Sequence, residues 1–138
     1  MRDLWNSIEL RFDRDALLVK EARAICWSLG DQYKSPPFVN VEFEKEPLHT
    51  FDTDIYRYLI RFEVVTQDIR GADAFRIVDH LSRVFGESRI TGGSFKPVYL
   101  THVRTTGPDL SGDRAYDASI AFEGFVQPLV NRPAVRAV

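Results

Sequence analysis

The chain has 138 residues, 44% of them hydrophobic and 28% charged, with a formal net charge of −2, a composition that fits one ordinary globular domain with a single core. A chain of this length buries enough surface to fold without disulfides or metal, and its single cysteine, Cys26, excludes an intramolecular disulfide and a zinc cluster and fits a reducing compartment. Lys and Arg number 18 against 20 Asp and Glu, with no block of like charge, so neither a basic arm for nucleic-acid phosphate nor an acidic tail is predicted.

Charge interrupts every apolar run near the N-terminus, which therefore reads as neither a signal peptide nor a membrane span. Leu4, Trp5, Ile8 and Phe12 stand at helical spacing, with Asp3 placed to cap the first turn and Arg2, Glu9 and Arg11 facing outward. This pattern predicts a short amphipathic helix. Residues 16–25 are compatible with helix, but Ala24-Ile25-Cys26-Trp27 reads as the start of a strand, placed near 24–29. Gly30-Asp31-Gln32 and Ser35-Pro36-Pro37 then force a loop, because proline lacks a donor and drives the preceding residue to extended geometry.

Residues 38–44 alternate, Val39, Val41 and Phe43 against Asn40, Glu42 and Glu44, which is the signature of a half-buried strand. The stretch 45–54, carrying Pro47, Asp52 and Asp54, is expected to connect it to the strongest strand in the chain. There Tyr56, Tyr58, Ile60, Phe62 and Val64 share one face and Arg57, Arg61 and Glu63 the other, so the two strands form a long hairpin. Ala74, Ile77, Val78, Leu81, Val84 and Phe85 then recur at helical steps up to Gly86, a helix stop.

Gly92-Gly93-Ser94 is a loop tip, residues 98–104 read as a strand, and Gly107-Pro108-Asp109 with Ser111-Gly112-Asp113 mark a flexible loop. The last strand alternates Tyr116, Ala118, Ile120, Phe122 and Val126 with Asp117, Ser119 and Glu123. Residues 128–138 hold two prolines and no period, which predicts an irregular tail beyond a single domain of residues 1–127. Hairpins and amphipathic helices together imply an α+β fold. It is a two-layer sandwich, a mainly antiparallel sheet of four to five strands with two helices packed on one face.

No catalytic, cofactor-binding or metal-binding set converges in the sequence. His49 falls in a loop, His80 on the polar side of a helix and His102 within a strand, and no pair has metal-ligand spacing. Cys26 has no neighbour that would activate it. Asp52 and Asp54 flank Thr53 without the further ligands of a calcium loop, and Gly92-Gly93-Ser94 lacks the lysine of a phosphate loop. Tyr56 and Tyr58 are the only hints of a small-ligand pocket and most simply fill the core.

The outer side of the strongest strand is less plain, since Ile55, Arg57, Leu59, Arg61, Glu63 and Val65 mix branched apolar groups with charge. A solvated face is one reading. The other is a subunit interface, which suits arginine at an apolar border. On that reading the candidate interface residues are Arg57, Leu59, Arg61 and Glu63, with His49, Phe51 and Asp52 from the adjoining loop.

The order of these elements resembles the tail terminator, or tail completion, proteins of long-tailed bacteriophages and prophages. The likeness runs over residues 1–127 and follows the N-terminal helix, Ser35-Pro36-Pro37-Phe38-Val39-Asn40-Val41 and Tyr56-Arg57-Tyr58-Leu59-Ile60-Arg61-Phe62-Glu63-Val64. It continues through Ala72-Asp73-Ala74-Phe75-Arg76-Ile77-Val78 and Tyr116-Asp117-Ala118-Ser119-Ile120-Ala121-Phe122-Glu123. The resemblance implies a non-enzymatic virion protein, made in the host cytoplasm, that forms a ring, usually of six subunits, at the head-proximal end of the tail tube. Such a ring ends tube polymerisation and joins the tail to the head. Its implied partners are further copies of itself, the major tail tube protein and head–tail connector proteins, with genome DNA only as passing cargo and no membrane. Two other readings stay open: a different head–tail adaptor or tail-assembly protein, and a small ligand-binding α+β domain.

Overall fold

A computed structural model describes residues 2–27, 37–49, 54–67, 72–86, 89–111 and 115–129. The first helix, α1 (Arg2–Arg14), buries Leu4, Trp5, Ile8 and Phe12, the face that the spacing predicts. Asp3 lies inside its first turn rather than ahead of it, and Arg11 and Arg14 occupy the last turn, so both ends complement the helix dipole. Arg11 does not simply face outward: its Nη2 donates to the Arg89 carbonyl at 2.6 Å.

The ambiguous stretch after Asp13 resolves into a second helix, α2 (Ala16–Ala22), and a three-residue strand, β1 (Ile25–Trp27). The break between the helices is Asp15, in extended geometry, whose Oδ1 accepts from the Leu18 amide at 3.1 Å. That bond satisfies one orphan amide of the new helix. The helix ends at Arg23, with φ of 66°, and the Ala24 amide reaches back to the Ala22 carbonyl at 2.7 Å. This is the strained, positive-φ form of the γ-turn, and it turns the chain abruptly from helix into β1.

The long hairpin is formed by β2 (Phe38–His49) and β3 (Asp54–Thr66), in register from Phe38↔Val65 to His49↔Asp54. Residues 45–49 and 54 are therefore strand, not connection. Pro47 is tolerated because β1 pairs with β2 only as far as Val41, leaving the rest of β2 at the sheet edge where a missing N–H costs no ladder bond. At roughly 3.4 Å per residue the hairpin is about 40 Å long, nearly twice the length of the helix α3 (Ala72–Gly86), and its pairing runs out to His49↔Asp54 at the far end. There the Lys45 ammonium sits 4.1 Å above the half-buried Tyr56 ring.

After α3 comes a small two-stranded sheet, β4 (Arg89–Ile90) with β5 (Val98–Tyr99), and then β6 (Thr101–Ser111) and β7 (Ala115–Val126). The predicted strand 98–104 is thus two strands split at Leu100. The side chains of Val98 and Leu100 lie over Gly124, where any Cβ would come within 2.8 Å of both. The expected loop at 107–111 is instead the end of β6. As the sheet edge, β6 admits Pro108 and absorbs its extra residues in two bulges, with Gly107 at φ 86°. Residues 112–114 and 130–138 lie outside the described residues. Pro128 pairs with Phe95, and the Leu129 amide bonds Ser94 O at 2.8 Å.

The main sheet runs β1-β2-β3-β7-β6, antiparallel except for the parallel β1–β2 pair. The fold is α+β in two layers, with three helices rather than two on the covered face among the described residues. Ile60, Phe62, Val64, Ile120 and Phe122 interlock with Ile77, Leu81 and Phe85, all essentially inaccessible. Phe62 stacks 4.8 Å from Phe85 and meets Phe122 edge-on at 5.8 Å. A second aromatic line, Trp5–Trp27–Phe43–Tyr58, crosses the covered face with centroids 5.7 to 6.3 Å apart.

Candidate functional site

Strand alternation that buries Tyr58, Ile60, Phe62 and Val64 sends Arg57, Leu59, Arg61 and Glu63 to the opposite face, which carries no helix among the described residues. Arg57 stands across from Glu46 on β2 and is diagonal to Glu123 on β7. Its Nε donates to Glu123 at 2.6 Å and its Nη1 to Glu46 at 3.2 Å, so one guanidinium ties three strands together. The hydrogen bond that Arg57 donates to Glu123, then that carboxylate's charge, raise the Arg57 pKa above its ordinary value.

Arg61, across from Glu42, donates to Glu63 on its own strand at 2.8 Å. Asn40 in turn donates to Glu42 at 3.0 Å. Leu59 lies half-buried between the two arginines, opposite Glu44. The open face is therefore an ordered lattice of charge around small apolar islands. Four of the candidate interface residues, Arg57, Leu59, Arg61 and Glu63, share it. His49 closes β2 opposite Asp54 with its side chain outside what is described, and Phe51 and Asp52 lie outside the described residues.

The pairing of Arg57 with Glu46 and Glu123 is not expected from the prediction of 45–54 as a connection. Its signal is present in the alternation Glu42, Glu44, Glu46 once that stretch is read as strand. A second polar feature has a weaker signal, two arginines three residues apart at the end of α1. There a cleft of about 410 Å³ opens on the helical layer, lined by Ser7, Leu10, Arg11, Arg14, Asp15 and Arg83 among others. Arg83 reaches Asp15 at 3.3 Å. Burial alone would raise the Asp15 pKa, but the Leu18 amide and Arg83 outweigh it and hold the carboxyl below its ordinary range.

The groups with chemical potential stay apart. His80 Nδ1 stands 3.8 Å from Glu21 Oε2 between α2 and α3, and His102 Nε2 is 2.8 Å from the Thr105 hydroxyl. Cys26 is half-buried in β1, its Sγ 3.5 Å from the Val39 carbonyl. Burial, and secondarily Tyr56, push the Tyr58 hydroxyl pKa up, as suits a core phenol. Among the described residues no three His, Cys, Asp or Glu side chains gather as metal ligands, and no helix is long and apolar enough to cross a membrane.

No protein-family model and no curated protein matches the chain. Among solved structures it is similar to a chain from the virion of a native gene transfer agent particle, with a TM-score of 0.75 at 12% identity, covering 91% of this chain and 92% of that one. A second solved chain, whose name carries no function, matches with a TM-score of 0.63 at 16% identity over 94% and 97% of the two chains. At these identities the likeness is one of fold, extending over nearly all of both partners. The class defined here is a two-layer α+β domain with one open sheet face, and that fold is also built into a virion.

Proposed function

We propose that this protein is a structural component of a phage-like virion and acts as a tail terminator. It assembles as a ring, with six subunits expected, on the head-proximal end of the tail tube, stops tube growth and presents a surface to the head connector. The observation that carries this reading is the likeness, over 91% of the chain, to a component of a gene transfer agent virion. The element order supports the terminator role in particular. The open sheet face, ordered by Arg57 and Arg61, suits a subunit contact better than a catalytic cleft.

The test is native mass as a function of concentration, with negative-stain images of the protein alone and after mixing with tail tubes. A closed ring with a central hole, or a cap on one end of each tube that halts elongation, is the expected result. A protein that stays monomeric and ignores tubes would overturn the proposal. Rings that bind a head connector but leave tube growth unaffected would move it to a head–tail adaptor.

A further inference from the structure

The arginine cleft and the open sheet face lie on opposite sides of the molecule and carry opposite charge. In the cleft, Arg11, Arg14 and Arg83 face one carboxylate among the described lining residues, Asp15. Arg83 is committed to Asp15 and Arg11 bonds a carbonyl, whereas Arg14 is exposed and has no ion-pair partner among the described residues. On the open face Glu42, Glu44 and Glu46 follow one another along the outer side of β2. Glu46 is engaged by Arg57 and Glu42 by Asn40. Glu44 stands opposite Leu59, is exposed, and has no ion-pair partner among the described residues.

We propose that the cleft receives the acidic edge of β2 from a second copy of this chain, with Arg14 meeting Glu44 at the centre of the contact. The spacing suits it. Alternate residues on a strand stand about 7 Å apart, and side chains three apart on a helix about 5–6 Å, so a strand of alternating carboxylates fits beside the end of α1 with Glu44 against Arg14. Each patch also offers an apolar group, Leu10 at the cleft rim, 49% exposed, and the half-buried Leu59 on the open face. Because the two patches differ and lie on different sides, no subunit satisfies itself and the contact is head-to-tail, the type that forms a ring where its rotation closes and an open filament where it does not. Backbone pairing through the other sheet edge is the poorer route, since β6 is interrupted by two bulges and a positive-φ glycine.

This inference rests on the ring reading, and charge exchange separates the two. Arg14→Glu and Glu44→Arg are each measured for self-association by sedimentation, then mixed one to one, and the double variant is measured beside them. Each single variant is expected to associate at least tenfold more weakly than the wild type, as like charges then face each other. The mixture and the double variant are expected to recover, because each restores an opposite-charge pair. Folding of every variant is checked by its thermal transition. Wild-type rings with single variants that associate equally well would leave the ring reading standing and overturn this contact. Loss in the singles without recovery on mixing overturns it too, and a wild type that neither associates alone nor caps tail tubes overturns both.

Discussion

The two faces of the sheet are built from the same alternating strands and have opposite characters. On the covered face Phe62, Ile60 and Phe122 are sealed beneath α3. On the open face the same strands present Arg57, Arg61 and Glu63 in ion pairs at 2.6 to 3.2 Å, with side chains that keep a third to a half of their exposure on the arginine side. The covered face holds the fold together through area removed from water and close packing. The open face contributes little to stability, because exposed ion pairs gain little over hydration, yet its charges are held in a defined pattern. That order is the reason this face is proposed as a subunit contact.

Substitution can break that contrast most forcefully at Phe62. Phe62→Ala removes a ring that touches both Phe85 and Phe122 and is expected to cost about 3–5 kcal/mol in denaturant unfolding. A cost similar to that of an open-face variant would abolish the distinction. The helical layer gives a smaller effect with a pH signature. Asp15 has a folded-state pKa below its unfolded value, so its contribution is fully present above the unfolded carboxylate range, near 3.9. It is lost as pH falls through the folded value. Asp15→Ala is therefore expected to cost about 1 kcal/mol at neutral pH, and the gap from wild type should close in unfolding curves taken at progressively lower pH below about 4. The smallest stability effect is expected for Arg57→Gln, which frees Glu46 and Glu123 on an open surface. Its thermal transition should stay close to wild type, and a large loss of stability would mean that the open face is structural after all.

Much of this was legible from periodicity. The buried residues of α1 and α3 are those the spacing selects, and in β3 and β7 it picks the covered face, though Thr66 and Ala121 are buried as well and Tyr56 only half so, because a helix or strand that covers one face must repeat its apolar residues at its own period. The misreadings cluster where local signals gave way to neighbours. Pro47 and Gly107-Pro108 read as loop, yet each sits in an edge stretch whose partner strand supplies the pairing. Asp15 is an ordinary cap, but it became visible as a helix break only once α2 had a core to pack against, through Leu18 and Ala22. The candidate site was half legible. Alternation placed Arg57, Leu59, Arg61 and Glu63 together on one face, but it could not name the strand that would bring Glu123 to Arg57, 66 residues away.

The sequence by itself determined the α+β class, the amphipathic helices, the long hairpin and which side of β3 is apolar, because each follows from residues a few positions apart. Only the tertiary structure decided the strand order β1-β2-β3-β7-β6, the three-strand tie through Arg57 and the gathering of Arg11, Arg14 and Arg83 in one cleft. Those depend on segments distant in the chain, and their meeting is selected by the burial of the whole core rather than by any local pattern.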